Sequence, residues 1–113
     1  MINSVLDTFR RLWRALTHRR RVSGIKFVGS RRELPSDLGA ALYIVGTGSA
    51  QWAVLNCPCG CGERANAKIG GASRNSWALT IKEGKASLSP SLLMSLERCG
   101  SHFCIRDNRI IWI

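Results

Sequence analysis

The chain has 113 residues, 45% of them apolar, and a formal charge of +10. That length fits one domain with a thin core, burying roughly 65% of the unfolded surface, and the absence of any run near the ~20 apolar residues of a span excludes a membrane-crossing helix. The charge is uneven: residues 1–37 hold nine Lys and Arg against three Asp and Glu, and residues 38–113 hold eight against four, so the basic pole is N-terminal and suits nucleic acid, an anionic membrane face or an acidic protein.

The N-terminal segment spaces Val5, Leu6, Phe9, Leu12, Trp13 and Leu16 three and four apart, which predicts one apolar helix face. Arg10, Arg11, Arg14, Arg19, Arg20 and Arg21 fall on the other side. We expect a basic amphipathic helix over 1–22. It docks on the core or on an anionic surface, with peripheral membrane contact among the options. It contains no uninterrupted apolar stretch of the signal-peptide kind. The chain is therefore expected in the reducing cytoplasm, where clustered cysteines more often bind metal than pair as disulfides.

After Gly24 the pattern turns to short β-like runs, giving an expected zinc-binding β domain over 23–113. "IKFV" (25–28) comes first, then a polar stretch around Pro35 read as a loop or single turn. "ALYIV" (41–45) and "QWAVLN" (51–56) flank "GTGSA" as a hairpin, and "RANAKI" (64–69) alternates after it. "SWALTIKEGKASL" (76–88) reads as a second hairpin turning at Glu83 and Gly84. Ser89 followed by Pro90 is a good cap and first-turn pair, so a short helix is expected over 89–97. "FCIRDNRIIWI" (103–113) closes the chain as a hairpin turning at Asp107 and Asn108. The fold expected is mainly β, a small α+β domain of antiparallel hairpins tied by a metal site, with the N-terminal helix and one short internal helix.

The densest chemistry is "NCPCGCGE" (56–63). Cys57, Cys59 and Cys61 offer thiolates at one-residue spacing, and Cys99 with His102 forms a distant Cys-x-x-His pair. Zn²⁺ takes thiolate and imidazole ligands in a tetrahedron. Four ligands from these five residues would clip two distant hairpins together, and which of the three clustered cysteines serve is open. Gly60, Gly62 and Gly100 let the backbone fold tightly around an ion. Cys104 is read as a small core residue, and His18 as solvated. An iron–sulfur centre of the Rieske kind would lack its first histidine here.

The runs "IKFV…ELPSDLGAALYIVG", "WAVLNCPCGCGE", "WALTIKEGKASLSPSLL" and "CGSHFCIRDNRIIW" resemble a small bacterial family catalogued as domain of unknown function 6527. The likeness covers residues 25–113. Some relatives lie beside genes for bacterial ubiquitin-like conjugation. The resemblance implies a peptidase that processes or deconjugates a ubiquitin-like protein, with that protein or a conjugation enzyme as partner. Members often carry an aromatic at the place of Cys104.

For hydrolysis the residues offer two routes. With three protein ligands on zinc, Glu63 could act as base to a bound water, although a surface charge is its plainer role. Alternatively a serine attacks. Ser101 adjoins His102 but points to the opposite face of a strand. Ser89 or Ser91, at the expected helix start, is better placed, with Ser89 also the expected cap. His102 is then a base, not a ligand, and the sequence leaves both roles open. The competing expectation is a non-catalytic zinc module that binds an acidic partner or nucleic acid through the arginine-rich helix. Trp52, Trp77 and Trp112 read as strand core residues and not as an exposed stacking row.

Overall fold

The structure is a computed structural model that describes residues 19–48, 51–70 and 75–113. Eight strands form two four-stranded sheets. The first sheet has the order β1 (Ile25–Val28), β2 (Leu42–Val45), β3 (Gln51–Asn56), β4 (Arg64–Ile69); the second has β5 (Ala78–Lys82), β6 (Lys85–Leu93), β7 (His102–Arg106), β8 (Arg109–Trp112). All pairings are antiparallel except β1 with β2, which run parallel in register Ile25 to Leu42 through Val28 to Val45. The antiparallel hairpins expected from the sequence are present, and one parallel pairing is added to them there. The loop 29–41 carries the chain back to the start of the sheet, and a parallel partner follows from that return.

Alternation explains the layering. β4 reads exposed–buried–exposed–buried from Arg64 to Lys68, and the buried positions are Ala65 and Ala67. These alanines join Leu42, Ile44, Ala53 and Leu55 of the first sheet in one cluster with Ala86, Leu88, Leu92, Phe103, Ile105 and Ile110 of the second. The core therefore lies between the sheets. β2 is buried along its whole length because Leu38, Ala41, Tyr43, Val45 and Val54 form a second cluster with it beneath the loop.

Two turns behave as their residues dictate. Glu83 and Gly84 take φ of 54° and 74°, and Asp107 and Asn108 take 51° and 65°. Positive φ at both central positions is the tight hairpin geometry, and Asn, Asp and Gly tolerate it best. Asn108 does more: its side-chain oxygen accepts from the Ala86 N–H at 2.7 Å, and its carbonyl accepts from the Val22 N–H at 2.8 Å.

The expected internal helix is not formed. Residues from Lys85 to Leu93 are one strand, and the only helical turn among the described residues is the 3-10 turn Arg31–Glu33. The capping preference of Ser89 and Pro90 is a local signal. It loses to the burial of Leu88 and Leu92, which β7 pairs with Ile105 and Phe103. Pro90, which has no N–H, falls where the β6–β7 ladder lapses.

The expected N-terminal helix lies outside the described residues as far as residue 18. Its last expected residues, 19–22, are not helical and are bonded to the body. Arg21 bridges Arg109 antiparallel, the Ile110 N–H donates to the Arg20 carbonyl at 2.8 Å, and the Arg19 N–H donates to the Pro58 carbonyl at 2.8 Å. One short segment thus touches both the edge of the second sheet and the cysteine loop of the first.

Candidate functional site

Two groups of reactive side chains stand out, one in the loops that link the sheets and one on the outer face of the second sheet. The first begins where β3 ends. The loop 57–63 turns back on itself through the Cys57 N–H bond to the Glu63 carbonyl at 2.8 Å and the Gly60 N–H bond to the Cys57 carbonyl at 3.1 Å. Gly60 and Gly62 hold φ of 86° and 89°, a region that side chains rarely enter, and this lets three thiols converge within five residues. From the second sheet, the β6–β7 connection brings Cys99. The sulfur atoms of Cys57, Cys59, Cys61 and Cys99 all lie within 4.8 Å of one another. Cys57 Sγ is 3.4 Å from Cys59 Sγ and 3.8 Å from Cys99 Sγ. Both distances are far beyond the ~2.05 Å of a disulfide. Four soft donors pointed at one another could hold a metal ion.

The environment is graded from inside to out: Cys57 is buried, Cys59 and Cys99 are half-buried, and Cys61 is exposed. Burial pushes the Cys57 and Cys61 thiols upward. Burial acts the same way on Cys99, but hydrogen bonds from the Ser101 side chain and backbone, then from Cys61 and Cys57, outweigh it and bring this thiol down to about 7. The Glu63 N–H also donates toward Cys61 Sγ at 3.4 Å. Bonds of this kind favour the thiolate that a metal takes.

His102 is not in this group. It opens β7, and its Nε2 lies 2.7 Å from Ser91 Oγ. The reason is a break in register. Leu88 pairs with Ile105, but Leu92 pairs with Phe103 and Leu93 with His102, so β6 carries two more residues than β7 across this interval. Such bulges re-aim side chains. Ser91 becomes the diagonal neighbour of His102 on the sheet's outer face, within side-chain reach. Ser89, named above with Ser91, is exposed and pairs instead with Ala78 of β5. Glu63, the other candidate base, meets Arg98 with its carboxylate at 2.9 Å, an exposed pair joining the two loops. Among the described residues His102 forms no ion pair with a carboxylate. Cys104 is half-buried on β7, outside the sulfur group.

One residue at this site escaped the sequence reading. The Trp77 indole N–H donates to the Ser91 carbonyl at 3.4 Å, which ties the bulged backbone to the strand entering β5. Nothing in the local pattern could have revealed it, because the two residues meet only through the pairing of β5 with β6. Replacing Trp77 with phenylalanine keeps the ring and removes this bond. A neutral hydrogen bond contributes about 0.5–1.5 kcal/mol, so the variant is expected to lose about that much stability with the fold retained, measured by a melting curve.

A model of the BubE family, described as bacterial ubiquitination-like system serine protease, matches residues 30–113. The chain belongs to that family. The match covers 84 of the 113 residues and includes both the sulfur group and the Ser91–His102 pair. Of the resemblance drawn from the motifs, it supports the link to a ubiquitin-like system, under this family's name and not that of the unknown-function domain. No curated protein and no solved structure matches the chain. Among the described residues no helix is long and apolar enough to cross a membrane. Trp52, Trp77 and Trp112 are half-buried and packed against the two core clusters. The arginine-rich helix of the competing, non-catalytic reading lies outside the described residues up to residue 18.

Proposed function

We propose that this BubE-family chain is a serine peptidase that processes or deconjugates a ubiquitin-like protein, with Ser91 as nucleophile and His102 as general base. The observation that carries this is the 2.7 Å approach of Ser91 Oγ to His102 Nε2, which lies within the reach such a pair needs. Ser91 Oγ attacks the scissile carbonyl carbon while its proton passes to His102 Nε2. His102 then returns that proton to the departing amine, leaving an acyl-Ser91 ester. Water, deprotonated by His102, opens the ester and regenerates Ser91.

In the same reading the four thiolates of Cys57, Cys59, Cys61 and Cys99 hold one Zn²⁺. A tetrahedron with Zn–S of about 2.3 Å has S···S edges near 3.8 Å, and the Cys57–Cys99 separation is 3.8 Å. Four cysteines leave no open position, so the ion would supply structure and not a bound water. It would tie the loop after β3 to the β6–β7 connection, three residues before His102. A reducing cytoplasm suits such free thiols.

The test is a fluorophosphonate probe, which labels activated serines. Peptide mapping by mass spectrometry is expected to place one adduct on Ser91, in protein that also cleaves a ubiquitin-like precursor. An adduct on another serine, or none, overturns the assignment.

A further inference from the structure

Resting on the peptidase reading, we infer that the outer face of the second sheet selects an extended peptide with small side chains beside the scissile bond and a carboxylate about four residues away. Alternation fixes what this face presents. Leu88, Leu92, Phe103 and Ile105 point into the core, so the residues between them point out. Along β6 these are Ser87, Ser89 and Ser91; along β7, His102, Cys104 and Arg106; and β5 places Ala78 opposite Ser89 and Thr80 opposite Ser87. A row of such small side chains leaves a furrow, and a cavity of about 300 Å³ runs over Ala78, Thr80, Ser87, Ser89, Ser91 and Cys104. That is the low end of the roughly 300–1,000 Å³ of ligand sites, room for a slender chain but not for bulky side chains. Leu93, Ile111 and Ile113 stand along the same face at 58%, 40% and 70% exposure, and Ile113 with Pro90 borders the cavity.

Charge gives the furrow a direction. At the end away from Ser91, Lys82 pairs with Lys85 and Arg106 with Arg109. All four are exposed. Like charges directly opposite each other destabilise a sheet, and here two such pairs lie side by side. Glu83 and Asp107, in the two turns, return only part of that charge. No salt bridge among the described residues involves any of the four cations. A carboxylate arriving from outside would relieve this repulsion. From His102 to Arg106 is four residues of strand, about 13 Å at ~3.3 Å per residue, so an extended peptide centred on Ser91 reaches the cations about four residues from the scissile bond.

The test uses the full-length Ser91→Ala variant and fluorescent ten-residue peptides, read by anisotropy. One peptide has an Ala-Gly centre with glutamate four residues to either side. A second replaces both glutamates with lysine, and a third places leucine at the centre. The acidic, small-centred peptide is expected to bind at least about ten-fold more tightly than either alternative, and less tightly as salt rises. Arg106→Glu with Lys85→Glu should reverse the charge preference. Ser87→Leu, in protein that keeps its circular dichroism spectrum, should fill the furrow and remove binding. Equal binding of all three peptides by the Ser91→Ala variant, while wild type takes the fluorophosphonate on Ser91, overturns the inference and leaves the peptidase reading intact. If Ser91 takes no probe, the reading fails and the inference goes with it.

Discussion

Ser91→Ala is expected to lower kcat/KM on a ubiquitin-like precursor by roughly 10³-fold or more, since removing one member of a nucleophile–base pair costs most of what the pair provides. His102→Ala should do the same, and the double variant should lose little further, because residues that act as one unit are not additive. Ser89→Ala is the discriminating control. Ser89 lies two residues away on the same strand and face, but it pairs across to β5 and makes no bond to His102. Its replacement by another small side chain keeps the furrow open and takes no partner from His102, so activity should stay far above that of Ser91→Ala. Comparable losses from Ser89→Ala and Ser91→Ala would point to damage of the bulge and not to loss of a nucleophile. Loss from Ser89→Ala alone would reverse the assignment.

Removing the metal is expected to have the largest effect on stability. Apparent binding free energies at structural zinc sites in small peptides are of order 10–16 kcal/mol, against roughly 5–15 kcal/mol for the whole stability of a domain. The ion would join the two sheets at one end of a core to which the first sheet contributes three alanines beside Leu42, Ile44 and Leu55. Purified protein should carry one equivalent of zinc, and exhaustive chelation should unfold it, seen as loss of the cooperative melting transition. Cys57→Ser, at the buried ligand, should cost more than Cys61→Ser at the exposed one. His102→Ala should retain the full equivalent of zinc while Cys99→Ala loses it. That contrast separates two residues which the Cys-x-x-His spacing had grouped as one ligand pair. A protein that melts unchanged after chelation would rule out a structural role for the ion.

The division between the two residues of that spacing shows where local sequence stops being informative. Cys99 sits in the connection before β7 and faces the other sulfurs. His102 begins the strand, its backbone carbonyl accepts from the Ile113 N–H at 2.9 Å, and its ring lies against β6. A three-residue interval is compatible with both being ligands until it is known where the loop ends and the strand begins.

Local residues alone specified much of the molecule. A β-like run beside the GTGSA turn marks the strand Gln51–Asn56, alternation marks Arg64–Ile69, and turn chemistry marks the turns at Glu83 and Gly84 and at Asp107 and Asn108. Period-2 burial and positive φ act within a few residues, so the chain displays them openly. The sequence also pointed to the cysteines 57, 59 and 61 as a cluster, since three thiols fall within five residues with Gly60 between them and Gly62 just after. Tertiary pairing decided the rest. It made β1 run parallel to β2, drew residues 89–93 into a strand against a capping signal for helix, and chose Ser91 over Ser89 as the partner of His102. That last choice depends on a two-residue register shift between β6 and β7. A shift of that kind arises from how Leu88 and Leu92 fit against Ile105 and Phe103 in the shared core, contacts that do not exist until the two strands have met.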